Sequence, residues 1–155
     1  MSDNSSARLW CIDKWQGAEV APDRSFRSTE NDFHTFLKNI ADVRDRVTIL
    51  KMYSSEAAGL LPEKAFDLVF IDADHHYDAV RFDIINYAPL VRPGGILCGH
   101  DYGPRPMRNG LIQAVNELVT NVRTAGEMLW WTKREPGWLG RREESSREEH
   151  VYVVA

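Results

Sequence analysis

Titratable residues concentrate in two short clusters, Asp72-Ala73-Asp74-His75-His76-Tyr77 and His100-Asp101-Tyr102, with a further carboxylate at Asp13. Each follows an apolar run, at residues 66–71, 95–99 and 9–12 respectively. Histidine titrates near neutral pH, so His75 could take a proton from a hydroxyl while Asp72 or Asp74 orients its ring. Two histidines and several aspartates on adjacent strand ends (Asp72, Asp74, His75, His100 and Asp101) could also carry metal-dependent hydrolysis. A plainer role competes for Asp74 and His75, that of capping a helix beginning near Asp78. His76 reads as a surface or packing residue.

These clusters need a scaffold that brings them to one edge. The apolar runs at 9–12, 46–52, 66–71 and 95–99 read as strands, and the one at 66–71 is apolar enough to be covered on both faces. Between them, Phe33, Phe36, Leu37 and Ile40 recur at helical spacing. Residues 56–61 form a short helix stopped by Pro62, and residues 78–88 a longer one ending before Pro89. Residues 92–95, Arg-Pro-Gly-Gly, read as a turn. The stripe Leu111, Ile112, Val115, Leu118, Val119 and Val122 predicts a helix over 109–123. Two last strands follow, at 128–132 and 151–154. Alternation of strand and helix implies an α/β fold, a mostly parallel sheet with helices on both faces. The closing strand pair suggests an antiparallel hairpin at one edge. In such a sheet ligands bind at the carboxyl ends of the strands. Here those ends carry Asp13-Lys14-Trp15, Tyr53-Ser54-Ser55 and the two titratable clusters.

The bulk numbers narrow the partners. The 155 residues suit a single domain, 1–155, with residues 1–7 expected to be disordered. Net charge is −4, and the one dense charged run, 141–149, mixes both signs. That argues against a nucleic-acid partner and suits a small neutral or weakly charged substrate. No apolar run approaches membrane-spanning length. The polar start lacks a hydrophobic leader. Cys11 and Cys98 sit inside apolar runs as buried thiols of a reducing compartment. The expectation is a cytoplasmic protein.

The order F-D-L-V-F-I-D-A-D-H-H-Y, a helix, then V-R-P-G-G-I-L-C-G-H-D-Y resembles class I S-adenosylmethionine-dependent methyltransferases. It is most similar to a small-molecule O-methyltransferase subgroup that includes sugar and macrolide O-methyltransferases and cephalosporin-hydroxylase-like proteins. C-I-D-K-W-Q-G is similar to the end of that family's second strand, and the resemblance runs over roughly residues 8 to 120. It implies a Rossmann-like fold and S-adenosylmethionine as cofactor. Asp13 would bind the ribose hydroxyls, since a carboxylate can accept two hydrogen bonds from a vicinal diol. Trp15 would pack near the adenosine, with a core aromatic as the competing role, and Ser54 would lie by the adenine edge. Asp72 and Ala73 would lie beside the methionine part, and His75 with Asp72 would serve catalysis on a small-molecule hydroxyl acceptor. A divalent metal would be held by Asp72, His100 and Asp101. Magnesium favours oxygen ligands, whereas His100 suits zinc or iron.

One family element has no counterpart. The family's central strand ends in a glycine-rich turn, but the residues before Leu9 contain no glycine, and Gly17 comes too late. The chain reads as N-terminally truncated relative to the family. Either the strand at residue 9 pairs directly beside that at residue 66, or a second copy lends a strand in a homo-oligomer. A non-catalytic remnant serving as a binding or assembly module is the alternative to an active enzyme.

Overall fold

The computed structural model describes residues 7–16, 30–103, 109–135 and 151–154. The expectations for residues 1–6 and for the charged run 141–149 lie outside them. Seven strands form one sheet: β1 (Arg8–Asp13), β2 (Val47–Lys51), β3 (Phe66–Ile71), β4 (Val91–Gly99), β5 (Arg123–Ala125), β6 (Leu129–Lys133) and β7 (Val151–Val154). Their spatial order is β2-β1-β7-β3-β4-β6-β5. The first five in that order run parallel, β6 is antiparallel to β4, and β5 is antiparallel to β6.

The mostly parallel sheet and its antiparallel edge match the sequence expectation, but the edge pair is a different one. β5 and β6 form it, and β7 is not at the edge. It lies in the middle, parallel to β1 on one side and to β3 on the other. The position between β1 and β3 is thus filled by this chain's β7, and β1 does not close onto β3. The physical reason is in the residues themselves. Val151-Tyr-Val-Val is apolar and mostly β-branched on both faces, as a central parallel strand must be and a solvent-facing edge strand need not be.

Among the described residues, four α-helices flank the sheet: α1 (Glu30–Asn39), α2 (Ser54–Ala57), α3 (Tyr77–Tyr87) and α4 (Asn109–Leu118). On one face α2, α3 and α4 bury Val69, Leu97, Trp130 and Val153 together with Val80, Ile84, Tyr87, Leu111 and Val115. On the other, α1 lays Phe33 and Phe36 over Cys11, Val47 and Ile49. Beyond α1, Phe70, Ile96, Cys98, Leu129 and Trp131 line an open apolar hollow on the same face.

Two boundaries differ from the periodicity. The helix at 109 ends at Leu118 rather than running to 123. Asn121 adopts a left-handed φ of 55°, which asparagine tolerates, and the chain turns there into β5. Residues 92–95 are not a free turn but lie within β4, whose register against β3 shifts between Phe66 and Leu68. Gly95 is obligatory at that shift, because a Cβ would stand 2.8 Å from the Asp67 carbonyl.

Beside this kink, Arg134 is a buried cation, 3% exposed. Its guanidinium donates to the carbonyls of Ala88 (3.2 Å), Pro89 (3.0 Å) and Val91. The Ala88 and Pro89 carbonyls already accept from the Val91 and Lys64 backbone N–H groups, and the guanidinium takes up their remaining lone pairs. Arg134→Ala should therefore lower unfolding stability by about 3 kcal/mol in urea denaturation. An unchanged midpoint would contradict the capping role.

Candidate active site

The carboxyl ends of β1, β2, β3 and β4 share one edge, so the sequence clusters converge there. On the β1 side, Asp13 closes its strand and accepts a hydrogen bond at Oδ1 from the Trp15 backbone N–H, 2.7 Å away. This turn gives Trp15 a left-handed φ of 49°, unusual for so bulky a residue. The indole is buried between Phe33 and Phe36, with ring centroids 4.9 and 5.1 Å away. Trp15 thus sits in the α1 core cluster, while Asp13 is exposed with acceptor capacity remaining. Ser54 opens α2, directly after β2.

On the β3 and β4 side, Asp72 and Ala73 follow β3 and are exposed. Three residues on, His75 Nε2 lies 2.5 Å from Asp101 Oδ2. Asp101 follows β4 and its side chain is only 8% exposed, against 41% for His75. His100 is turned outward at 40% exposure, with Nδ1 3.3 Å from Asp101 Oδ1. Its backbone N–H donates to the Ile71 carbonyl at 3.3 Å, extending the β3–β4 ladder up to the cluster. Gly99 makes this close packing possible: a Cβ would lie 2.5 Å from the Ile71 carbonyl oxygen and 2.7 Å from Trp130 Nε1. Asp101 itself has a φ of 65°, a sparsely populated conformation of the kind found at functional sites.

Sequence reasoning placed His75 here but paired it with Asp72 or Asp74. The structure pairs it with Asp101, while Asp74 bonds His76 through its backbone N–H (2.8 Å) and its ring (2.5 Å). The ligand atoms of Asp72, His75 and Asp101 lie within 4.8 Å of one another. The trio whose geometry could meet a cation therefore contains His75 in the place the resemblance gives to His100. Its two oxygens and one nitrogen fit a transition metal. Such an ion would have to part Nε2 from Oδ2, because at 2.5 Å that pair already forms a hydrogen bond.

Further hydrogen bonds fix the two clusters in place. The Tyr77 hydroxyl donates to Glu117 at 2.5 Å and the Tyr102 hydroxyl to Asn116 at 2.6 Å, so α4 holds both site loops. Asp83, 3% exposed on α3, accepts a hydrogen bond from the Ser54 side chain. Only its charge on an otherwise apolar helix face marked it in the sequence. Burial pushes its carboxyl above the usual range, outweighing the hydrogen bond from Ser54, with the Asp74 charge adding to the rise. A carboxyl raised on folding favours the native state while protonated, and that contribution is lost as pH rises through the folded value. Asp83→Asn should therefore be at least as stable as the parent at neutral pH, and its advantage should shrink on acidification toward the ordinary aspartate range. Urea midpoints at several pH values would show this, and a constant difference across them would contradict it.

A family model described as a methyltransferase domain matches residues 1–102. No curated protein matches the sequence. Among solved structures, the O-methyltransferase NovP is 18% identical with a TM-score of 0.63, covering 83% of this chain and 60% of its own. A Corynebacterium glutamicum protein is 17% identical with a TM-score of 0.56, at 83% and 61% coverage. An O-methyltransferase family protein from Burkholderia thailandensis is 19% identical with a TM-score of 0.53, at 84% and 44%. The chain thus spans about three fifths of the length of the first two and less of the third. At these identities the structures establish the shared fold. With a family model covering residues 1–102 of 155, and the Rossmann-like sheet in place, the chain belongs to the methyltransferase domain family.

Proposed function

We propose that the protein is an S-adenosylmethionine-dependent methyltransferase that methylates a hydroxyl oxygen of a small molecule. The observation that carries this is the His75–Asp101 hydrogen bond beside Asp72, at the ligand-binding edge and two strands from Asp13. Two strand spacings are roughly 10 Å, which suits an elongated nucleoside–amino acid ligand laid across the carboxyl end of β7. When bound, S-adenosylmethionine supplies an electrophilic sulfonium methyl. Asp13 would accept hydrogen bonds from its ribose diol, with Ser54 toward the adenine and Asp72 and Ala73 toward the methionine part. Asp101 accepts the Nε2 proton of His75, which leaves Nδ1 as the basic nitrogen. That nitrogen would take the acceptor's hydroxyl proton as the oxygen bonds the methyl carbon and the carbon–sulfur bond breaks, its electron pair leaving on the thioether sulfur. The fold's main contribution is to hold donor and acceptor in line. Asp72 and Asp101, with His75 or His100, would hold a divalent cation, which would supply Lewis-acid polarisation of the same oxygen.

A specific observation favours a second reading, a non-catalytic binding module. Trp15, expected beside the adenosine, is buried between Phe33 and Phe36 in the α1 core cluster instead. Transfer of a radiolabelled methyl group from S-adenosylmethionine to a panel of small alcohols and phenols, each run beside its amine counterpart, separates the possibilities. Label on the hydroxyl compounds alone is expected. Label on the amines alone would overturn oxygen as the acceptor, and label on neither, despite cofactor binding, would favour the binding module.

A further inference from the structure

We infer that Asp83 and Tyr87 are positioning residues that clamp Ser54 from below and so tie the adenosine end of the site to the helix that begins beside the base, a proposal that rests on the cofactor reading above. The two side chains sit one helical turn apart on the same face of α3. Both are buried, Asp83 to 3% exposure and Tyr87 completely. Both reach the same residue: Asp83 accepts from the Ser54 side chain, and the Tyr87 hydroxyl donates to the Ser54 carbonyl at 2.9 Å. Burying a carboxyl and a phenol is costly unless each finds a partner, so an apolar pair would have sufficed if packing were the sole requirement.

The start of α2 does not need this help to fold. The Tyr53 N–H bonds Glu56 Oε2 at 3.1 Å, and the Glu56 and Ala57 N–H groups return to the Tyr53 carbonyl at 3.1 Å. The turn is locally complete. What the clamp adds is a fixed position of Ser54 relative to α3, whose first turn follows His75 and His76 directly. Ser54 lies after β2 and His75 after β3, on opposite sides of β1 and β7. A ligand spanning them needs their separation held constant, and α3 is the element that touches the first and begins beside the second.

The test is a double-mutant cycle on S-adenosylhomocysteine affinity, measured by calorimetry for the parent, Asp83→Ala, Ser54→Ala and the double variant. Tyr87→Phe and Asp83→Asn serve as conservative controls. Asp83→Ala should weaken binding about tenfold, and the double variant should be no weaker than the worse single one, because residues acting through one contact are not additive. Asp83→Asn, whose amide oxygen can still accept from Ser54, should recover most of the affinity. Unchanged affinity in Asp83→Ala, or fully additive losses, would overturn the proposal. Amide hydrogen exchange of residues 53–57 in the ligand-free protein gives an independent reading. Faster exchange in Asp83→Ala and in Tyr87→Phe supports the clamp, and parent-like exchange in both overturns it. If the parent itself binds no S-adenosylhomocysteine, the cofactor reading fails and the clamp stands or falls on exchange alone.

Discussion

Replacing His75 by alanine is expected to lower kcat/KM for methyl transfer by about 10²–10⁴-fold, the range a positioned general base contributes. The imidazole is held by Asp101, whose side chain is 8% exposed, yet is itself 41% exposed toward the ligand edge. It is thus anchored at Nε2, which leaves Nδ1 as the nitrogen proposed to meet the acceptor. Asp101→Asn keeps the size of the anchor but removes its charge and can present an N–H to Nε2, favouring the wrong tautomer. It should therefore also depress kcat. Neither change touches the turn at Asp13, so S-adenosylhomocysteine affinity should stay within about threefold of the parent, as for a group engaged chiefly in the transition state. Equal losses of cofactor affinity and of rate would assign His75 to binding instead. Parent-like turnover would remove it from the mechanism altogether.

The second large effect concerns β7. Val153 is fully buried, in register with Trp10 on one side and Val69 on the other. Val154 points to the opposite face, 36% exposed, in register with Cys11 and Phe70. Val153→Asp should cost more than about 4 kcal/mol, enough to prevent folding of a marginal domain, because it buries an unpaired carboxylate at the centre of the sheet. Val154→Asp should cost about 1 kcal/mol or less, as near-surface changes do. Circular dichroism and urea melts of the two variants decide this. Similar, small effects would mean that β7 lies at an edge after all. Val154→Cys adds a check on whose strand it is, since neighbouring strands bring Cα atoms within disulfide reach. A bond to Cys11 within a monomer assigns β7 to its own chain, and a cross-linked dimer would assign it to a second copy.

Much of this fold was legible because its signals are local. The runs at 66–71 and 151–154 carry enough β-branched and apolar residues to mark strands to the residue. The helix at Tyr77–Tyr87 was legible through its inward positions and the proline that follows. What was not legible is non-local. The place of β7 depends on a vacancy between β1 and β3 that no residue in either strand announces. β5 is three residues long and all exposed, with no alternation to detect, so the helical stripe ran over it. In the candidate site, the rule that ligands bind at strand ends gathered Asp13, Asp72, His75 and Asp101 to one edge. It could not choose His75's partner, because a hydrogen bond across 26 residues depends on how β3 and β4 pair. Asp83 escaped notice for a similar reason: its function is fixed by Ser54, 29 residues earlier, and not by any neighbour in sequence.

The central claim is that Asp13 and the opposite cluster bind one adenosyl ligand across β7. Its most direct test is calorimetric titration of the full chain with S-adenosylhomocysteine, beside the same titration of Asp13→Ala. Binding in the micromolar range that weakens at least about tenfold in the variant is the expected result, since a carboxylate bonded to a diol contributes charge-assisted hydrogen bonds. No heat from the parent at protein concentrations well above that range, or equal affinity in the two proteins, would contradict the cofactor site as placed.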